Sequence, residues 1–169
     1  MTDTNKEVLD FTGEGKPKLA GGLNILTILT IIGSILGFVS AVYSFMTAKK
    51  SYEDLQKAMD NPDMANAPGW VKNMMSPEML EVTRKMYENR MPIMVISLVG
   101  AALCLYGALE MRKLKKQGYL IWLVGEVLPI VALLIFVGTA ALSGFGLIGL
   151  IFPVIFIILY TVFRKDLVY

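Results

Sequence analysis

The segment 118–142, GYLIWLVGEVLPIVALLIFVGTAAL, sets the terms for the rest of the chain. At the ~1.5 Å rise of a helix it measures about 37 Å, enough to cross the ~30 Å hydrocarbon core of a bilayer. It carries one charge, Glu126, with Pro129 three residues later. A carboxylate at that depth is costly, which makes Glu126 the residue most in need of a role.

Three more apolar runs, 23–46, 92–111 and 147–163, resemble it in length and character, and only 18% of the chain is charged. The expected fold is therefore all-α: a polytopic membrane protein with four transmembrane helices in an antiparallel bundle. Residues 1–21, mixed in charge and containing Gly and Pro, read as a flexible cytoplasmic tail. The four-span membrane domain is expected over 22–163, with spans at 23–46, 92–111, 119–142 and 147–163, and a cytoplasmic C-terminal tail over 164–169. The first run lies too far in and runs too long for a cleaved signal peptide, and so reads as a retained anchor.

Orientation follows from the connections. Residues 112–117, RKLKKQ, carry four positive charges, whereas the turn at 143–146 carries none. The positive-inside rule then places 112–117 and both termini in the cytoplasm, with 47–91 outside. The expected setting is a bacterial inner (plasma) membrane.

Residues 47–91 balance seven basic against seven acidic residues. Tyr52, Leu55, Ala58 and Met59 follow helical spacing, so the first helix is expected to continue to about Asp60, where Asn61-Pro62-Asp63 breaks it. Ser76-Pro77-Glu78 has the residue types of an N-cap, a first-position proline and an early acid. The prediction is a helical extracytoplasmic hairpin between spans 1 and 2. Pro92 either starts the second span or kinks a helix continuing from 76–91.

Small residues recur every fourth position on two spans: Gly33, Gly37 and Ala41 on the first, Gly100, Cys104 and Ala108 on the second. Such flanks let helices approach closely, and the two are candidates to face each other within the bundle or to form a homodimer seam. Cys104, the only cysteine, cannot form an intramolecular disulfide and reads as a buried structural thiol. Glu110 beside Arg112 and Lys113 reads as a solvated ion pair at the membrane edge. Tyr119, Trp122, Tyr160 and Phe163 are expected in an interfacial aromatic belt. Counting depth from the span ends brings Thr30 and Tyr106 level with Glu126. Thr30, Tyr106, Glu126 and Pro129 are thus the candidate intramembrane polar site, with Glu126 neutral or strongly hydrogen-bonded.

Histidine is absent, which removes any Ser-His or Cys-His pair and the commonest metal ligand. No HExxH, GxSxG or phosphate loop is present, so no catalytic residue, metal or cofactor is expected. Nine of eleven methionines fall between Met46 and Met94. Thioether clusters can bind Cu(I), but the spacing here is irregular and adaptable partner contact fits better. Trp70, Met74, Met75, Met79 and Met86 form that candidate partner surface. The expected function is non-enzymatic: an accessory subunit or assembly factor of a membrane complex, contacting the lipid bilayer and other membrane proteins or itself, and no nucleic acid. The alternative is a small oligomeric transporter or channel component using Glu126.

Overall fold

A computed structural model describes residues 19–62, 66–142 and 145–168. Six α-helices follow one another: α1 Gly21–Met59, α2 Gly69–Met74, α3 Pro77–Glu88, α4 Arg90–Arg112, α5 Lys116–Phe136 and α6 Phe145–Phe163. The described residues contain no strand. Helices α1, α4 and α5 are each long and apolar enough to cross a membrane. Large aliphatic side chains point outward all round them, for example Leu36 and Val39 on α1, Val95 on α4 and Ile135 on α5. That pattern suits lipid as the surrounding solvent and would be an aggregation liability in water. The expected tail over 1–21 falls almost wholly outside the described residues.

Helix α1 continues unbroken past the end of its apolar run and stops at Asp60, just before Asn61-Pro62. Its second half packs against α3, with the rings of Tyr52 and Tyr87 stacked at 6.0 Å and 5°. Ser76 caps α3, its hydroxyl accepting from the Met79 amide at 3.3 Å, and Pro77 takes the first position. The insert also contains one helix beyond the two extensions predicted, the single turn-and-a-half of α2, entered at Pro68.

Pro92 neither starts a helix nor kinks one. Asn89 ends α3 and precedes α4, so Pro92 falls in the first turn of α4, where a missing amide is harmless. The Asn89 side-chain amide donates to the carbonyls of Lys85 (3.0 Å) and Phe136 (3.4 Å), tying this hinge to the far end of α5.

Helix α5 ends at Phe136 and does not run on to Leu142. The amides of Val137 and Gly138 turn back to the Leu133 carbonyl, and Gly138 takes φ +94°, a left-handed stop that glycine adopts without strain. Thr139–Leu142 is a 3₁₀ turn. Apolar composition continues beyond the helix, which is why reading the run by composition overshot.

Antiparallel α4 and α5 form the tightest contact. A Cβ placed on Gly107 would lie 2.6 Å from the Trp122 amide nitrogen and 2.7 Å from the Gly118 carbonyl oxygen. One placed on Gly125 would lie 2.8 Å from the Cys104 nitrogen and from the Gly100 oxygen. Two glycine pairs, Gly100/Gly107 and Gly118/Gly125, each seven residues apart, thus bring the backbones into contact. The small flanks of the first two spans line one groove from opposite sides, but the close packing of the α4 flank is with α5. Gly100 meets Pro129 and Gly125 of α5, Gly37 meets Ala101 of α4 at ordinary contact distance, and Gly33 meets nothing within 4 Å.

Of the aromatic residues expected in an interfacial belt, Tyr119, Trp122 and Tyr160 face the bundle interior and Phe163 is half-buried. Trp122 and Tyr160 are each 1% exposed and stack with ring centroids 4.3 Å apart, and Tyr119, also buried, donates to or accepts from Thr161 at 2.9 Å. Gly107 opens the space into which Trp122 packs.

The α4–α5 reversal is built on Glu110. That residue is 2% exposed, and its two oxygens accept from Lys113 (2.7 Å) and Lys115 (2.5 Å). Of the two cations expected to pair with it in solvent, Lys113 does pair, though the carboxylate is buried, while Arg112 reaches across to Asn24 Oδ1 (3.0 Å) and Thr27 Oγ1 (3.2 Å) on α1. The carboxylate holds the Lys113 ammonium above its usual range. Leu114, buried at φ +61°, completes the turn, and its carbonyl accepts from the Val168 amide at 3.0 Å. The last described residues are thereby pinned beneath the bundle.

Candidate functional site

Helix α1 carries a seam the composition conceals. Thr27, Thr30, Ser34, Gly37, Ala41, Ser44, Ala48 and Ser51 follow one another at alternating steps of three and four residues. That spacing holds one helix face, the position large aliphatics occupy in a coiled coil. Here every side chain on it is small. From Thr30 to Ser51 the seam floors an elongated cavity of about 760 Å³, open along one side.

The facing wall repeats the same alternation: Thr83 and Met86 of α3, then Arg90, Ile93, Ser97, Gly100 and Cys104 of α4. Glu126, Pro129 and Leu133 of α5 and Phe152, Pro153 and Phe156 of α6 complete it. Many wall hydroxyls are internally satisfied. Ser34, Thr47 and Thr83 donate to the carbonyls of Thr30, Tyr43 and Met79 at 2.8–2.9 Å, the back-bonding these residues make in helices.

The two ends of the groove differ in chemistry. At one end stands Glu126, half-buried, whose Oε2 accepts from the Cys104 thiol at 3.4 Å. Its partner is therefore a residue assigned to helix packing, and not Thr30 or Tyr106. Thr30 pairs with the Tyr160 hydroxyl at 2.7 Å, and Tyr106 is 52% exposed on the outer surface of α4. A depth count along a helix carries no information on azimuth, and Tyr106 lies on the outward face of α4. Pro129 lines the groove and packs against Gly100. Near Glu126, the buried Trp122 Nε1 has no hydrogen-bond partner among the described residues.

At the other end is Arg90. Its guanidinium lies over the rings of Phe45 (5.1 Å) and Tyr87 (5.0 Å), and no carboxylate pairs with it among the described residues. Cation–π contact engages the faces of the guanidinium and leaves its N–H edge free to donate. Sequence reading passed over Arg90 and the α1 seam. The three–four alternation of small residues over 27–51 was the available signal for both, since it marks a face left unfilled.

Of the candidate partner surface, Trp70 is 68% exposed and Met86 is exposed at the groove edge, while Met75 and Met79 are half-buried. The side chain of Met74 lies outside the described set. Cys104 is buried and unpaired with any other cysteine. Among the described residues no three Cys, Asp or Glu side chains converge as metal ligands. A lone carboxyl beside a lone thiol can hold or pass a proton or accept a hydrogen bond. No protein-family model, curated protein or solved structure matches this chain.

Proposed function

We propose that the protein is a non-catalytic accessory or assembly subunit of a membrane complex. In this reading it has four spans, α6 being the fourth, with both termini cytoplasmic and α2–α3 outside. One observation carries it: the unbroken length of α1. At ~1.5 Å per residue this 39-residue helix measures about 58 Å, nearly twice the ~30 Å a membrane core requires. The surplus is braced by α3 through Tyr52 on Tyr87 and Arg90 between Phe45 and Tyr87, so it projects as a rigid post. Trp70, exposed on α2, is a large aromatic of the kind that anchors partner contacts.

The test is purification from native membranes in mild detergent, with the mass of the particle measured. The wild-type chain is expected to bring stoichiometric partner proteins, and Trp70→Ala to release them without altering helicity. A wild-type particle containing only this chain would overturn the reading.

A second reading, a small oligomeric transporter or channel component, is favoured by Glu126 lying in the groove with Pro129 and Pro153, which sit inside α5 and α6 and deprive each helix of one backbone donor. The two readings diverge at Glu126→Gln. For an accessory subunit the amide substitutes for the acid as the Cys104 acceptor, and both complex mass and stability should stay within about 1 kcal/mol of wild type. For a proton-carrying path, vesicle-based proton flux should be lost in Glu126→Gln and present in a closed homo-oligomer of the parent.

A further inference from the structure

We infer that the groove is a lipid site: an anionic phospholipid sets its phosphate on Arg90 and lays one acyl chain along the small-residue seam of α1. This does not rest on the accessory-subunit reading. The layout of the groove favours a lipid as its occupant. It follows the small-residue seam for ~32 Å, from Thr30 to Ser51, with a mostly apolar lining and one basic lining residue, Arg90, towards one end. A long apolar trough with a single cation near its mouth matches a phospholipid, an acyl chain below an anionic head.

Length agrees. From Arg90 to Cys104 the α4 wall runs about 21 Å. One leaflet of hydrocarbon is ~15 Å deep, half the ~30 Å core, so a straightened chain anchored at Arg90 reaches towards the Trp122 and Phe156 rings at the other end.

Charge and surface agree as well. Arg90 is half-buried, immobilised between two rings, free of any carboxylate, and presents donors in the fork that suits phosphate oxygens. Ser44 and Ser51 line the groove on the opposite wall and can add hydroxyl donors. Deeper in, the Ser34 hydroxyl is satisfied by its own helix and tolerates a hydrocarbon neighbour. The groove is also open to the side, so a lipid can enter from the bilayer without crossing the protein.

Trp122, one of two tryptophans and a lining residue, provides the probe. In a Trp70→Phe background, the full chain is reconstituted into phosphatidylcholine vesicles containing equal fractions of acyl-brominated phosphatidylglycerol or acyl-brominated phosphatidylcholine. Brominated phosphatidylglycerol should quench Trp122 with about fivefold higher apparent affinity, the ~1 kcal/mol that one basic residue gains from anionic lipid. Arg90→Gln should abolish the preference and Arg90→Lys should retain it. Ser44→Leu, which fills the groove and leaves the charge in place, should reduce quenching by both lipids, and decides the matter if Arg90→Gln loses helicity. Equal quenching by the two lipids, a preference surviving in folded Arg90→Gln, or quenching undiminished in Ser44→Leu would overturn the proposal.

Discussion

Gly107→Ala should unfold or severely loosen the bundle, while Gly33→Ala should be almost silent. Both are glycines in apolar helices, and helix propensity alone would favour the change by up to ~1 kcal/mol in each. The difference lies in what the new methyl meets. At Gly107 it would stand 2.6–2.7 Å from two backbone atoms of α5, which can retreat only by moving the whole helix. Overpacking of this kind costs about 1–3 kcal/mol and more when the obstacle is backbone. Separating α4 from α5 would also open the matching contact at Gly100 and Gly125, so the expected loss is at the upper end, ~3 kcal/mol or beyond. At Gly33 the methyl would enter the open groove and meet nothing within 4 Å. Unfolding in mixed micelles of increasing SDS content, followed by helicity, measures both. A Gly107→Ala variant as stable as Gly33→Ala would mean that α4 and α5 do not approach as described.

That contrast shows what the sequence made legible. Helix identity and approximate span were readable because lipid leaves the backbone of a long apolar run little choice. The cap at Ser76 was readable because its chemistry is local. Pairing between helices was not. A small-residue flank says that something comes close and not what comes: Gly100 and Cys104 could face α1, and they do so only across the groove, while their close contact is with α5. The seven-residue spacings of Gly100/Gly107 and Gly118/Gly125 are visible in the chain, and two matched intervals on neighbouring runs would have pointed to the right pair. Glu126 was found by its cost, but its neighbour Cys104 was not, since an azimuth around a helix depends on packing that no depth count supplies. Glu110 was misjudged for a related reason. A carboxylate beside lysines looks solvated until the turn at Leu114 folds Lys113 and Lys115 over it.

Trp122→Ala is expected to cost as much as Gly107→Ala, through the opposite defect. The indole is 1% exposed and packs at a tilt against the Tyr160 and Tyr119 rings, with centroids 4.3 and 6.1 Å away. Truncating a buried aromatic costs about 3–5 kcal/mol, the lost contacts plus the cavity. In a bilayer no hydrophobic drive holds helices together, so packing of this kind carries more of the association than it does in water. The damage should be local in kind. The α4–α5 glycine contacts survive the change, whereas α6 depends on Trp122–Tyr160 stacking and the Tyr160–Thr30 hydrogen bond that the stack positions. Trp122→Ala should therefore release α6 while α1, α4 and α5 stay together. Limited proteolysis of Trp122→Ala within 143–146 should accelerate well before helicity falls. Trp122→Phe, retaining a ring against Tyr160, should recover most of the stability. Cooperative loss of all helices together in Trp122→Ala would instead make α6 an integral part of the α4–α5 core.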